Sequence, residues 1–189
     1  MRVVKKPEER RAEMVAAATR LFAEQGFVRT SVAEIVTAVD VAKGLFYYYF
    51  TTKDDMVKAV VEGICSYMGT LAAEIAQGEG SAYEKMDRLL ENRIWEQCFS
   101  QPLLADLCLP QHTALYADMC DRMYAHMGPA LESIAAQAFR EKGREDAPAG
   151  QIVGVGLYGI LMMARTGNVN MRDVNRMIRR LIAAEIEAA

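Results

Sequence analysis

Apolar residues recur along the chain at intervals of three and four, and no stretch alternates convincingly between apolar and polar, so helices are predicted throughout. Pro7 suits an early helical position, and Val15, Ala18, Leu21 and Phe22 form a stripe that Gly26 ends. Ser31 to Glu34 has the form of a capping box, opening a short helix with Val32, Ile35, Val36 and Val39 inward. Asp40-Val41 is a turn, after which a second short helix runs from about Ala42 to Phe50. Thr52 to Asp55 is another capping pattern, heading a helix that reaches about Gln77. Gly78 to Gly80 is a linker, and Ser81 to Glu84 caps a helix ending near Ser100. Pro102 and Pro110 bracket a short helical piece, and a long segment from about Gln111 to Lys142 follows, with a kink or break expected at Gly128-Pro129. Beyond a loop at Gly143 to Ala147, an apolar helix is predicted from Pro148 to about Thr166, and an amphipathic one from Asn170. The fold class expected is all-α.

Composition narrows the picture. Of 189 residues, 52% are hydrophobic and 25% charged, which supports a packed core and argues against wholesale disorder. The net charge of −3 excludes a protein coated in basic groups, and residues 1–55 hold only nine Lys/Arg against eight Asp/Glu. Charge alone therefore identifies no DNA surface. The four cysteines, Cys65, Cys98, Cys108 and Cys120, form no CxxC pair and read as reduced thiols. Residues 1–11 are polar and charged, unlike a secretory leader, and the longest apolar run, residues 152–164, falls short of the roughly 20 residues that span a bilayer. A soluble, cytoplasmic protein is expected, with no membrane partner.

Two short helices joined by a three- or four-residue turn within residues 31–50 have the helix-turn-helix layout, whose second helix enters the major groove. That second helix reads Lys43-Gly-Leu-Phe-Tyr-Tyr-Tyr-Phe50, and five aromatics in a row cannot share one buried face when each residue turns about 100°. Phe46 and Phe50 are the natural inward pair. Gly44, Leu45 and Tyr48 then lie outward, with Tyr47 and Tyr49 flanking. Tyrosine hydroxyls can donate to phosphate oxygens, and Gly44 would let the backbone approach base edges closely. Periodicity alone equally allows a poorly amphipathic core helix.

The runs Leu21-Phe-Ala-Glu-Gln-Gly-Phe27, Thr30-Ser-Val-Ala-Glu-Ile35 and Val41-Ala-Lys-Gly-Leu-Phe-Tyr-Tyr-Tyr-Phe50, followed by Lys53, resemble the N-terminal signature of the TetR family of bacterial regulators, without a gap from about Glu8 to Met56. The resemblance implies an N-terminal three-helix helix-turn-helix domain over residues 1–52, then a larger helical dimerisation and ligand-binding domain over 53–189. It implies a homodimeric repressor, released from a pseudo-palindromic double-stranded DNA operator by a small-molecule effector. Thr30 and Ser31 resemble phosphate contacts. Lys43, Gly44 and Leu45 occupy the base-reading start of the recognition helix, Tyr47, Tyr48 and Tyr49 face the DNA backbone, and Lys53 matches a phosphate-binding lysine. Three positions depart from the family pattern: Asp40 at a turn position usually Gly, Ala42 where Ser or Thr is frequent, and Leu45 where a small or polar residue is usual. Leu45 can read a thymine methyl but cannot hydrogen-bond to a base. These departures keep open a second reading, a helical ligand-binding or scaffolding module with degenerate DNA binding.

In the C-terminal part the resemblance is one of layout. Trp95, Cys98, Phe99, Leu107, Cys108, His112, Tyr116, Met119, Cys120, Met123 and Tyr124 are of the types that line an adaptable apolar pocket, and equally those of an ordinary helical core. Cys108, His112, Cys120 and His126 lack the spacing of a zinc site, so neither metal nor cofactor is expected. With two histidines, no phosphate-binding glycine loop and no nucleophile–base–acid constellation, an enzyme is not expected. A dimer interface is expected from Gly156, Leu157 and Ile160 of the apolar helix and Val174, Ile178 and Leu181 of the last one, meeting their symmetry mates as a four-helix bundle.

Overall fold

A computed structural model describes residues 6–91 and 101–143, together with Gly156, Gly159, Arg176, Met177 and Arg180. All regular structure among these residues is helical. The first helix, α1 (Pro7–Gln25), starts on the proline, with Glu8 and Glu9 in its first turn to complement the macrodipole. Gly26 ends it at φ +81° and donates its N–H to the Phe22 carbonyl. Its buried residues are Met14, Ala17, Ala18 and Phe22, while Val15 and Leu21 are only half-buried. The core face is thus turned relative to the expected stripe. Alanines at 16–18 make the apolar arc broad, and the neighbouring elements choose which part of it they cover.

Helix α2 (Val32–Ala38) opens on a complete capping box. The Ser31 hydroxyl accepts from the Glu34 N–H at 3.2 Å, and the Glu34 carboxylate accepts from the Ser31 N–H at 2.7 Å. Helix α3 (Lys43–Tyr49) follows, and α4 (Lys53–Gln77) opens on a reciprocal pair of the same kind between Thr52 and Asp55. Met56, Val57, Val60, Val61, Ile64, Cys65, Met68 and Ala72 form the buried stripe of α4. By length and composition α4 alone among the described residues could cross a membrane. Glu62 and Lys58 interrupt its apolar run, so a search for contiguous apolar residues passes it over.

The chain divides into two compact units, one of residues 1–63 and 99–116, the other of 64–98 and 117–189. The first thus takes in the start of α4 and a distant segment, whereas residue 52 was the expected functional boundary. That segment contains α6 (Gln101–Leu107) and a 3-10 turn at Pro110–His112. In the second unit, α5 (Ala82–Glu91) carries the expected Ser81–Glu84 cap, and the Ala82 N–H donates to Glu141 at 3.1 Å. Helix α7 (Thr113–Glu141) continues through Gly128 and Pro129, so of the kink or break expected there no break occurs. Proline removes one bond to the carbonyl four residues back, and Pro129 and Ala125 both lie on the exposed side of the helix. Gly69 lets α4 meet α7 closely: a Cβ there would lie 2.7 Å from the His126 carbonyl oxygen.

The apolar helix expected over 148–166 and the last helix fall largely outside the described residues, as do Leu157, Ile160, Val174, Ile178 and Leu181 of the expected interface. Gly156, Gly159, Arg176, Met177 and Arg180 are helical; Gly156 is half-buried and the other four are exposed.

Candidate nucleic-acid interface

Helices α2 and α3 are joined by a tight turn, closed by hydrogen bonds from Asp40 N–H to Thr37 O at 3.2 Å and Val41 N–H to Val36 O at 3.0 Å. Asp40 sits at φ +52°, the left-handed conformation that a short polar side chain tolerates better than most. Ala42 gives α3 no side-chain cap. Behind the turn, Ile35, Val36, Phe46 and Phe50 are buried, and the Arg11 guanidinium lies 5.1 Å from the centre of the Phe50 ring.

The face this leaves outside is narrower than the sequence reading implied. Lys43 and Gly44 are exposed, Tyr47 is 51% exposed and Tyr48 75%. Leu45, expected to point outward, is half-buried, as is Tyr49, whose ring meets that of Tyr48 edge-on at 4.9 Å. These two lie on the flanks of α3, where neighbouring elements decide exposure. Among the described residues nothing requires glycine at position 44. A Cβ added there meets nothing within 4 Å, and its φ is not positive. Glycine in a helix costs roughly 0.5–1 kcal/mol relative to alanine, so its use here fits a surface that something else must approach.

The three remaining expected phosphate contacts have partners within the chain. Ser31 is exposed, with its hydroxyl engaged in the capping box. Thr30 is 1% exposed; its hydroxyl donates to the Gly26 carbonyl at 2.7 Å and accepts from the Gln25 side chain at 3.2 Å. Lys53 is half-buried, and its ammonium donates to the carbonyls of Phe27 at 2.9 Å, Thr30 at 3.3 Å and Val28 at 3.5 Å. The structure thus gives Thr30 and Lys53 the job of holding the connection between α1 and α2. A cation in the first turn of α4 opposes the macrodipole, and these carbonyls offset that cost.

Glu34 has a pKa lowered to about 2 from 4.5 by the Ser31 backbone N–H, then the Ser31 hydroxyl and the Gln25 amide. Gln25 thus bridges Thr30 and Glu34, at 3.2 and 3.1 Å, a role that no local spacing announced.

The residues proposed for a ligand pocket are described only in part. Trp95, Cys98 and Phe99 lie outside the described residues. Leu107 and Tyr116 are buried in the first unit, and Met119, Cys120 and Met123 in the second. His112 is engaged in the first unit: its ring centre is 4.9 Å from that of Phe27, and its Nδ1 is 2.8 Å from the Asp106 carbonyl oxygen. Among the described residues no group of three or more His, Cys, Asp or Glu could hold a metal ion.

Residues 14–60 match the family model of bacterial regulatory proteins, tetR family. The HTH-type transcriptional regulator HbdR of Aromatoleum sp. (strain CIB) is 33% identical over 91 residues, covering 48% of this chain and 38% of HbdR. The matched stretches span less than half the length of the curated relatives. Among solved structures, a TetR-family transcriptional regulator from Pectobacterium atrosepticum superposes with a TM-score of 0.66 at 21% identity, covering 99% of this chain and 95% of that one. RolR in complex with resorcinol gives 0.65 at 18% identity, covering 97% and 88%. These likenesses extend the shared helical fold beyond the N-terminal match.

Proposed function

Residues 14–60 belong to the tetR family of bacterial regulatory proteins, and from that premise we propose that the chain is a homodimeric repressor that binds a pseudo-palindromic operator. The observation that carries the reading is the outer face of α3, where Lys43, Gly44, Tyr47 and Tyr48 are exposed over the buried pair Phe46 and Phe50. Tyrosine hydroxyls and a lysine can bond phosphate oxygens, which orients the protein, while the bare backbone at Gly44 lets α3 sit deep against base edges. Leu45, on the flank of the helix, reaches a thymine methyl only if α3 tilts toward it.

RolR has a small aromatic molecule bound, and this supports an effector-responsive regulator here. The effector would act by favouring the state in which the two recognition helices no longer match the operator. We assign its pocket to the surroundings of Met119, Cys120 and Met123, which are buried. The second face needed for dimerisation is assigned to residues 156–181; Gly159 and Met177 are exposed on the single chain, as an unpaired interface requires. Acting on DNA without a reaction of its own, the protein would work in the cytoplasm and need no cofactor.

Selection of binding sites from random duplexes tests the reading. A dimer should enrich two inverted half-sites about one helical turn apart or a small multiple of it, and sedimentation should give the mass of two chains. Failure to enrich any sequence at low salt would favour a module that has lost DNA binding.

A further inference from the structure

The connection between α1 and α2 is held by a residue far away in sequence. Asp106 of α6 accepts a hydrogen bond from the Val28 N–H at 2.8 Å, 78 positions apart. Gly26 makes room for it: at φ +81° it lies so close that a Cβ would overlap the Asp106 carboxylate and come within 3.2 Å of the Pro102 carbonyl oxygen. The two chain directions of the connection are therefore gripped by opposite charges. Lys53 takes the carbonyls of Phe27, Val28 and Thr30, and Asp106 takes the N–H between them. His112 closes the third side, its ring against Phe27 and its Nδ1 on the carbonyl of Asp106 itself. The residue that follows this clamped stretch is Ser31, the cap of α2.

We propose that Asp106 is a positioning residue for DNA binding: by fixing residues 26–30 it sets where α2, and with it the recognition helix packed on α2, stands relative to α1. The inference rests on the regulator reading and adds to it a residue from outside the DNA-binding module. Electrostatics gives it a distinctive signature. A carboxylate in a DNA-binding unit repels phosphate, so removing it should tighten binding if charge were all that mattered. Removing an acceptor that holds the loop should weaken it.

The test compares wild type, Asp106→Asn and Asp106→Ala on the duplex that wild type selects, with amide exchange at Val28 followed in the same proteins. Asn keeps an acceptor and loses the charge, so its affinity should equal or exceed that of wild type. Ala should bind about tenfold more weakly, the worth of one bond to a charged group, with faster exchange at Val28 and an unchanged salt slope. If Ala does not fold, Asp106→Glu, which displaces the acceptor by one methylene, replaces it with the same fall expected. Wild type that selects a sequence while the folded Ala variant binds it equally or better overturns the positioning role. Wild type that selects nothing removes the regulator reading instead, whatever Val28 does.

Discussion

Replacing Gly44 with Ala should push stability and DNA binding in opposite directions. The added methyl meets nothing within 4 Å in the free protein, and Gly44 is exposed in the first turn of α3. Alanine restricts the unfolded chain and favours the helix, a gain of about 0.5–1 kcal/mol. For a protein of this size that raises Tm by about 1–4 °C, measurable by thermal unfolding followed by circular dichroism. In the complex the methyl stands between α3 and the duplex. Overpacking a close interface costs about 1–3 kcal/mol, and each 1.4 kcal/mol is about tenfold in Kd. Fluorescence anisotropy on the selected duplex should therefore show at least severalfold weaker binding by a protein that melts higher. Undiminished binding by the Ala variant would refute the close approach at Gly44. A lower Tm would refute the premise that the position is open.

Two further outcomes follow from the hydrogen bonds of the first unit. Lys53→Ala should weaken operator binding and leave the slope of log K against log salt unchanged, because its ammonium is spent on Phe27, Val28 and Thr30; a slope reduced by about 0.9 per lost phosphate contact would instead make it a phosphate ligand. Glu34, with its pKa held near 2 in the folded state against 4.5 for the free group, binds fewer protons folded than unfolded in that window, so its capping contribution is complete above 4.5 and lost as pH falls toward 2. Denaturant unfolding should show the stability gap between wild type and Glu34→Gln closing across that window, and a gap that stays constant would count against the bond from Ser31.

How much of this was legible in the sequence depends on the reach of each interaction. Pro7, Gly26, Ser31 with Glu34, and Thr52 with Asp55 act on groups at most four residues away, so spacing alone locates α1, α2 and α4. Asp40 at φ +52° belongs with them, since the turn it completes is as local. The resemblance to a family carried the helix-turn-helix itself, but a family motif records what a residue type does on DNA, not what it does between binding events. Lys53 illustrates the difference: spacing shows a lysine in an unfavourable turn, and only the fold brings three carbonyls to it from residues 23 to 26 positions earlier. Asp106 left no trace because its partner is 78 positions away and neither residue is unusual where it stands. On α3, a 100° wheel correctly puts Phe46 and Phe50 inside and Tyr48 outside, because these lie near the poles of the helix. It misjudges Leu45 because a flank residue is buried or not according to what packs beside it, and that is a property of the partner element. Gly44 and Tyr48, placed by the helix alone, should therefore keep their outward position in any variant that folds, whereas the exposure of Leu45 and Tyr49 should change with whatever packs on the flank of α3.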